Sequence, residues 1–198
     1  SSGLGKSIVK QLALEPDNNI YFTYRSNKDN AEQMITQYKN IYAYFCDFSD
    51  ENSVLSLLSN IPQMDLDVLV NNAYSGYTIG THFDKTDSFD FLSSFNTNIM
   101  PTIRITQEVI KVFKKKRSGK IITILTDALM GSPPIGYSVY TATKAYLAQL
   151  VKVWSKEYIK FGITSNAISP SYMQTKLTKD INEFVVEQML NEHPLKRL

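Results

Sequence analysis

Strand-like and helix-like stretches alternate along the chain, and that order folds into a parallel sheet with helices packed against it. Strands are expected at residues 20–24, 41–46, 66–70, 120–125 and 163–168, where β-branched, aromatic and aliphatic residues run almost without a break. Helical spacing marks the stretches between them. Ile8, Val9, Leu12 and Leu14 open the series and Pro16-Asp17-Asn18-Asn19 closes that first helix. Further helices are expected at 29–38 and 54–58. A long one carries the stripe Leu92, Phe95, Ile99, Ile103, Ile110 and Phe113. Another runs over 138–160 and is apolar on more than one side, with Leu147, Leu150, Val151, Trp154 and Tyr158 joined by Tyr146 and Val153. Burial against both the sheet and a second helix is the simplest reason. A last amphipathic helix is expected over 176–191.

A chain of 198 residues, 43% hydrophobic and 20% charged, can bury one sizeable core as a single domain. Its formal net charge of +2 is too small to argue for nucleic acid as a partner. The only dense basic run, Lys114-Lys115-Lys116-Arg117, suits the C-terminal end of a helix. Cys46 is the sole cysteine, so neither an intrachain disulfide nor a cysteine-rich metal site can form, and a reducing, cytoplasmic compartment is the expectation. No apolar run reaches the length of a bilayer, so no membrane partner is expected.

Two local features carry chemistry. Gly3-Leu4-Gly5 opens a helix, where close backbone approach and free N–H groups can receive a pyrophosphate, although the same spacing also makes plain tight turns. Tyr140 and Lys144 stand four apart on a helix and so share a face. An ammonium beside a phenol favours the phenolate, and such a pair can exchange a proton with a carbonyl oxygen. An i,i+4 Tyr/Lys pair is also a common surface contact.

The order of the pieces adds to this. Ser1-Ser2-Gly3-Leu4-Gly5, Asn71-Asn72-Ala73 at a strand end, Asn98 in a helix, Tyr140-Thr141-Ala142-Thr143-Lys144 and Ser169-Pro170 after a strand follow one another along the chain. In that sequence of motifs the chain resembles the short-chain dehydrogenase/reductase family, over essentially its whole length. The resemblance implies a Rossmann-type, doubly wound parallel sheet, truncated at both ends, in one domain whose first and last strands lie largely or wholly outside residues 1–198. It implies a cofactor loop at Ser2, Gly3, Leu4 and Gly5, an adenine contact at Asp47, and closure of a strand end against the cofactor by Asn71 and Ala73. Asn98 would support a proton-relay water, Tyr140 would be the general acid/base, and Lys144 would lower the Tyr140 pKa and bind nicotinamide ribose. Pro170, Met173 and Thr175 would lie around the nicotinamide carboxamide.

Cofactor choice is read at the end of the strand Ile20-Tyr21-Phe22-Thr23-Tyr24. An Asp there would bind a ribose 2′-hydroxyl and repel a phosphate; here Tyr24 takes its place and Arg25-Ser26 follows, so NADP(H) is expected over NAD(H). The substrate is expected to be a small carbonyl compound, in the manner of 3-oxoacyl-acyl-carrier-protein reductases, whose carrier protein is then a potential partner. A homodimer or homotetramer is what the family implies. The segment from Tyr172 to Leu190 would cover the substrate.

Three positions depart from the family pattern. Tyr74 replaces the glycine of Asn-Asn-Ala-Gly and Ser171 a common glycine after Pro170, both read as tolerable loop changes. The third is Asp127, which aligns with the family's catalytic serine. An ionised carboxylate about 4 Å from Tyr140 would oppose its phenolate by roughly 4 kcal/mol at an effective dielectric near 20. A buried, protonated Asp127 could instead donate to the carbonyl. Thr126 or Ser132 could also supply the missing hydroxyl. Two other readings stay open: a cofactor-binding subunit without catalysis, motivated by Asp127, and an enoyl reductase using Tyr137 with Lys144. Pro101 has no N–H for the carbonyl of Thr97, which leaves that group open for packing or for a relay water beside Asn98.

Overall fold

The computed structural model describes residues 3–76 and 80–173, together with Glu187 and Asn191. Ser2, Thr175 and most of the expected 176–191 helix lie outside the described residues. Helix α1 (Gly3–Leu12), strand β1 (Ile20–Tyr24), helix α2 (Lys28–Gln37), strand β2 (Ile41–Phe45) and helix α3 (Glu51–Asn60) alternate as expected. Strand β3 (Val68–Asn71) follows, then helices α4 (Ser88–Ser94) and α5 (Met100–Lys116), strand β4 (Gly119–Ile124), helix α6 (Ser138–Tyr158) and strand β5 (Ile163–Ile168). The helix placed at 54–58 is twice that length, because Asp50 caps it by accepting from the Asn52 N–H and starts it earlier than its apolar stripe does.

All strand pairing is parallel. β1 pairs with β2 from Ile20↔Ile41 to Tyr24↔Phe45, and β4 lies between β3 and β5. The strands form two ladders, β2-β1 and β3-β4-β5, where the sequence led us to expect one sheet. In the doubly wound order 3-2-1-4-5-6 these ladders are strands 3-2 and 4-5-6. No described segment occupies the place between β1 and β3.

Alternation along β1 shows how helices cover both faces. Ile20 and Phe22 point into a cluster with Ala31 and Met34 of α2, while Tyr21 packs against the larger core on the opposite face. That core joins Val54 and Leu57 of α3, Val109, Ile110 and Phe113 of α5, Ile121 of β4, and Val151 and Trp154 of α6. Phe113 packs so tightly on the start of β4 that a Cβ at Gly119 would fall 2.2 Å from its ring.

The long helix expected from Leu92 to Phe113 is continuous but not uniform. Residues Phe95–Ile99 form a π turn in which the Met100 N–H reaches back to the Phe95 carbonyl. Pro101, which cannot donate, sits just beyond it, so the register changes where an α-helical bond is unavailable. Two apolar expectations are corrected. Leu92 is exposed, as are Tyr146 and Val153 on α6, because no helix among the described residues covers that side.

Candidate active site

Four ends of secondary structure meet at one edge of the larger sheet. Helix α1 begins beside the C-terminal end of β3, and the approach is close enough that a Cβ on Gly5 would lie 2.6 Å from Asn72 Nδ2. Gly3 adopts a φ of +52°, which favours glycine. A helix N-terminus facing a strand end in this way leaves a crevice lined by backbone N–H groups, which suits a dinucleotide pyrophosphate. Leu4 is half-buried in that turn. Asn71, the last residue of β3, donates from Nδ2 to Thr106 Oγ1 at 3.2 Å, while Ala73 beyond it is exposed.

At the end of β4, Thr126 is extended and buried, and its Oγ1 accepts from the Ala128 N–H at 3.3 Å to cap the short turn Asp127–Leu129. The Tyr140 phenol, from the first turn of α6, lies beside this same Thr126, whose side chain acts to lower its pKa. One turn further on, Lys144 is only 5% exposed and donates from Nζ to the carbonyl of Ile124 at 2.8 Å. Tyr140, Lys144 and the β4 end are therefore brought together.

The electrostatics differ from expectation. Burial pushes the Tyr140 phenol above its ordinary pKa; the Thr126 bond pulls it down, and Tyr74, Tyr137 and Asp127 push it up further. The lowering expected from Lys144 is absent, because burial pulls Lys144 itself down to about 8 and its Nζ lies 5.9 Å from the Tyr140 ring centroid, bonded to Ile124. Asp127 is exposed, its N–H donating to the Pro170 carbonyl at 3.0 Å and its Oδ1 3.4 Å from Thr126 Oγ1. The buried setting assumed for Asp127 as a donor to the carbonyl is absent, which corrects that expectation. Ser132 is exposed in the loop beyond, so of the two alternative hydroxyls it is Thr126 that meets Tyr140.

Asn98 lies in the π turn and is 1% exposed. Its Oδ1 accepts from the Ser75 N–H at 2.7 Å and its Nδ2 donates to the Ser75 carbonyl at 2.8 Å, so it clamps the loop after β3. Tyr74, the residue before that clamp, is the group that sequence reasoning passed over. Its ring stands edge-on to Tyr140 with centroids 5.4 Å apart, and Lys144 Nζ lies 4.8 Å from its centroid. Burial pushes its phenol above the ordinary pKa, and the Ser94 and Thr143 side chains beside it, which bond each other at 2.8 Å, pull it back down. The signal was present in the sequence, as a bulky phenol where the family pattern has glycine.

The opposite end of the crevice carries charge. Arg25 and Ser26 are exposed after β1. Asp47 accepts from both the N–H and the hydroxyl of Ser49, which holds its carboxyl below the usual range, and Arg25 adds to that lowering. Lys6, which sequence reasoning did not single out, donates to Asn30 Oδ1 at 3.4 Å and bridges α1 to α2. A cation in a helix's first turn opposes the helix dipole, and that was the available signal. Pro170 and Met173 follow β5, with Pro170 bonded to the Asp127 backbone.

The comparisons with known proteins agree with this geometry. The short chain dehydrogenase family matches residues 1–185. The 3-oxoacyl-(acyl-carrier-protein) reductase FabG of Staphylococcus epidermidis is 30% identical over 204 residues, spanning all of this chain and 82% of that protein. Carbonyl reductase family member 4 of Xenopus laevis is 29% identical, over 96% of this chain and 79% of its own length. Among solved structures, ElxO with NADP bound superposes with a TM-score of 0.86 at 28% identity, covering all of this chain and 82% of that one. With a Tyr140/Lys144 pair at the β4 end and a glycine crevice at the β3 end, this chain is an NAD(P)-dependent oxidoreductase belonging to the short-chain dehydrogenase/reductase family.

Proposed function

We propose that the protein is an NADP(H)-dependent ketoreductase acting on a 3-oxoacyl thioester. The observation that carries this reading is the placing of Tyr140 beside Thr126 at the β4 end, one helical turn from the buried Lys144 that is bonded to the Ile124 carbonyl. The residues fit a dinucleotide, since Gly5 brings the start of α1 so close to the β3 end that a Cβ there would displace the Asn72 amide into the crevice. Gly3, Leu4 and Gly5 would hold the pyrophosphate, Arg25, Ser26 and Lys6 a 2′-phosphate, and Asp47 the adenine. Asn71, Ala73, Pro170 and Met173 would line the nicotinamide end, and Lys144 would bind its ribose. The bound nicotinamide supplies hydride to the carbonyl carbon.

Tyr140 donates its phenolic proton to the carbonyl oxygen as negative charge develops there, and Thr126 Oγ1 shares that oxygen, in the role first assigned to Asp127. Asn98 holds the loop that closes the site. The 3-oxoacyl thioester is favoured by the FabG relative, and NADP(H) by Arg25, Lys6 and the ElxO neighbour. We further place the protein in the cytoplasm, as a homodimer or homotetramer built on the exposed sides of α4 and α6.

The test is oxidation of NADPH and of NADH by the full-length protein with a short 3-oxoacyl thioester. Turnover with NADPH at least tenfold better than with NADH supports the reading. Comparable use of both cofactors removes the NADP(H) assignment. Tight NADPH binding without turnover favours the non-catalytic subunit.

A further inference from the structure

Lys144 is 5% exposed, although it is the residue through which a ribose hydroxyl would be held. A hydroxyl must come within about 3 Å of an ammonium to bond it. Nζ is already directed to Ile124 O, and one side of it is covered by the Tyr74 ring at 4.8 Å. That ring is secured at both ends. Its phenol lies at the side chains of Ser94 of α4 and Thr143 of α6, and the next residue, Ser75, is clamped through its N–H and its carbonyl by Asn98.

We propose that Tyr74 is a positioning residue that governs access to Lys144: with its ring in place the ammonium is covered, and nicotinamide ribose reaches Lys144 only once the ring has swung away. The proposal rests on the nicotinamide reading above. Rotation about the Tyr74 side chain uncovers that side of Nζ, while the Asn98 clamp keeps the backbone of Ser75 in place. A glycine at this position would have no covered state. The phenol thus divides the protein between a covered and an uncovered form, and a ligand that binds only the uncovered form has its affinity reduced by the fraction present.

NADPH binding by wild type, Tyr74→Gly and Tyr74→Phe tests this, by fluorescence titration and stopped-flow mixing with the full-length protein. Tyr74→Gly is expected to tighten NADPH binding by about tenfold, and Tyr74→Phe, which keeps the ring but loses the hydroxyl beside Ser94 and Thr143, by roughly threefold. The wild-type observed rate should level off at high NADPH, because uncovering then limits it, while that of Tyr74→Gly keeps rising. Tyr74→Phe preserves the packed ring, so it decides the matter should Tyr74→Gly fail to fold. Unchanged or weaker binding by the variants overturns the role of Tyr74 and leaves the nicotinamide reading standing. Absence of NADPH binding in all three proteins overturns both.

Discussion

The Lys144 ammonium donates to the Ile124 carbonyl across 2.8 Å and so ties the second turn of α6 to the last residue of β4. The cation is nonetheless held at a cost, since burial lowers its pKa from 10.5 to about 8. A folded-state pKa below the unfolded one means that the unfolded chain binds more protons between those values, so stability rises with pH from 8 to 10.5 and the full penalty is present below 8. Lys144→Met should therefore abolish turnover yet stabilise the fold at pH 7 by about 2 kcal/mol, the lost hydrogen bond deducted. Denaturant unfolding of both proteins at pH 7 and at pH 9.5 checks this; a variant less stable than wild type at pH 7 would contradict it.

Tyr140 lies beside Thr126, which lowers its pKa, whereas Asp127 is exposed and raises that pKa only as the least of its causes. Thr126→Val should lower kcat by about a hundredfold, and Thr126→Ser should retain most of it. Asp127→Asn removes a nearby negative charge, which favours the phenolate, so the alkaline limb of the pH–rate profile should move to lower pH with kcat little changed. If Asp127→Asn is the damaging change and Thr126→Val the mild one, the roles are reversed.

Gly5→Ala places a Cβ 2.6 Å from Asn72 Nδ2. The atom it meets ends a short side chain that can turn aside, so unfolding should shift by less than about 1 kcal/mol. The displaced amide intrudes on the crevice, and NADPH affinity should fall by about tenfold. Equal NADPH dissociation constants for the variant and wild type would remove this turn from the cofactor site.

Cys46 is buried, its Sγ 3.9 Å from the Ser53 carbonyl, and burial pushes its thiol up to about 11. The native protein at pH 8 should react with a thiol reagent at least a hundredfold more slowly than the unfolded chain. Rapid labelling before unfolding would show that the loop from Asp47 to Asp50 opens locally.

Much of this molecule was legible as a sequence because period and order are local properties. Alternating apolar runs and helical stripes located the elements, and the spacing of Gly3, Gly5, Asn71, Tyr140 and Lys144 marked the crevice and the candidate acid/base pair before any coordinates. Three features depended on contacts between segments far apart in the chain. Thr126 and Asp127 are adjacent, so spacing alone could not say which faces Tyr140; the extended backbone of Thr126 turns it inward and the short turn after it leaves Asp127 in solvent. Tyr74 reads as a loop residue until Asn98, Ser94 and Thr143, from two helices, bring it against Lys144. The pKa of Lys144 followed charge logic in the sequence, which predicts an ammonium assisting a phenol. Tertiary burial reversed that balance, because the free energy of a charge depends on how much water surrounds it, and only the packed structure sets that.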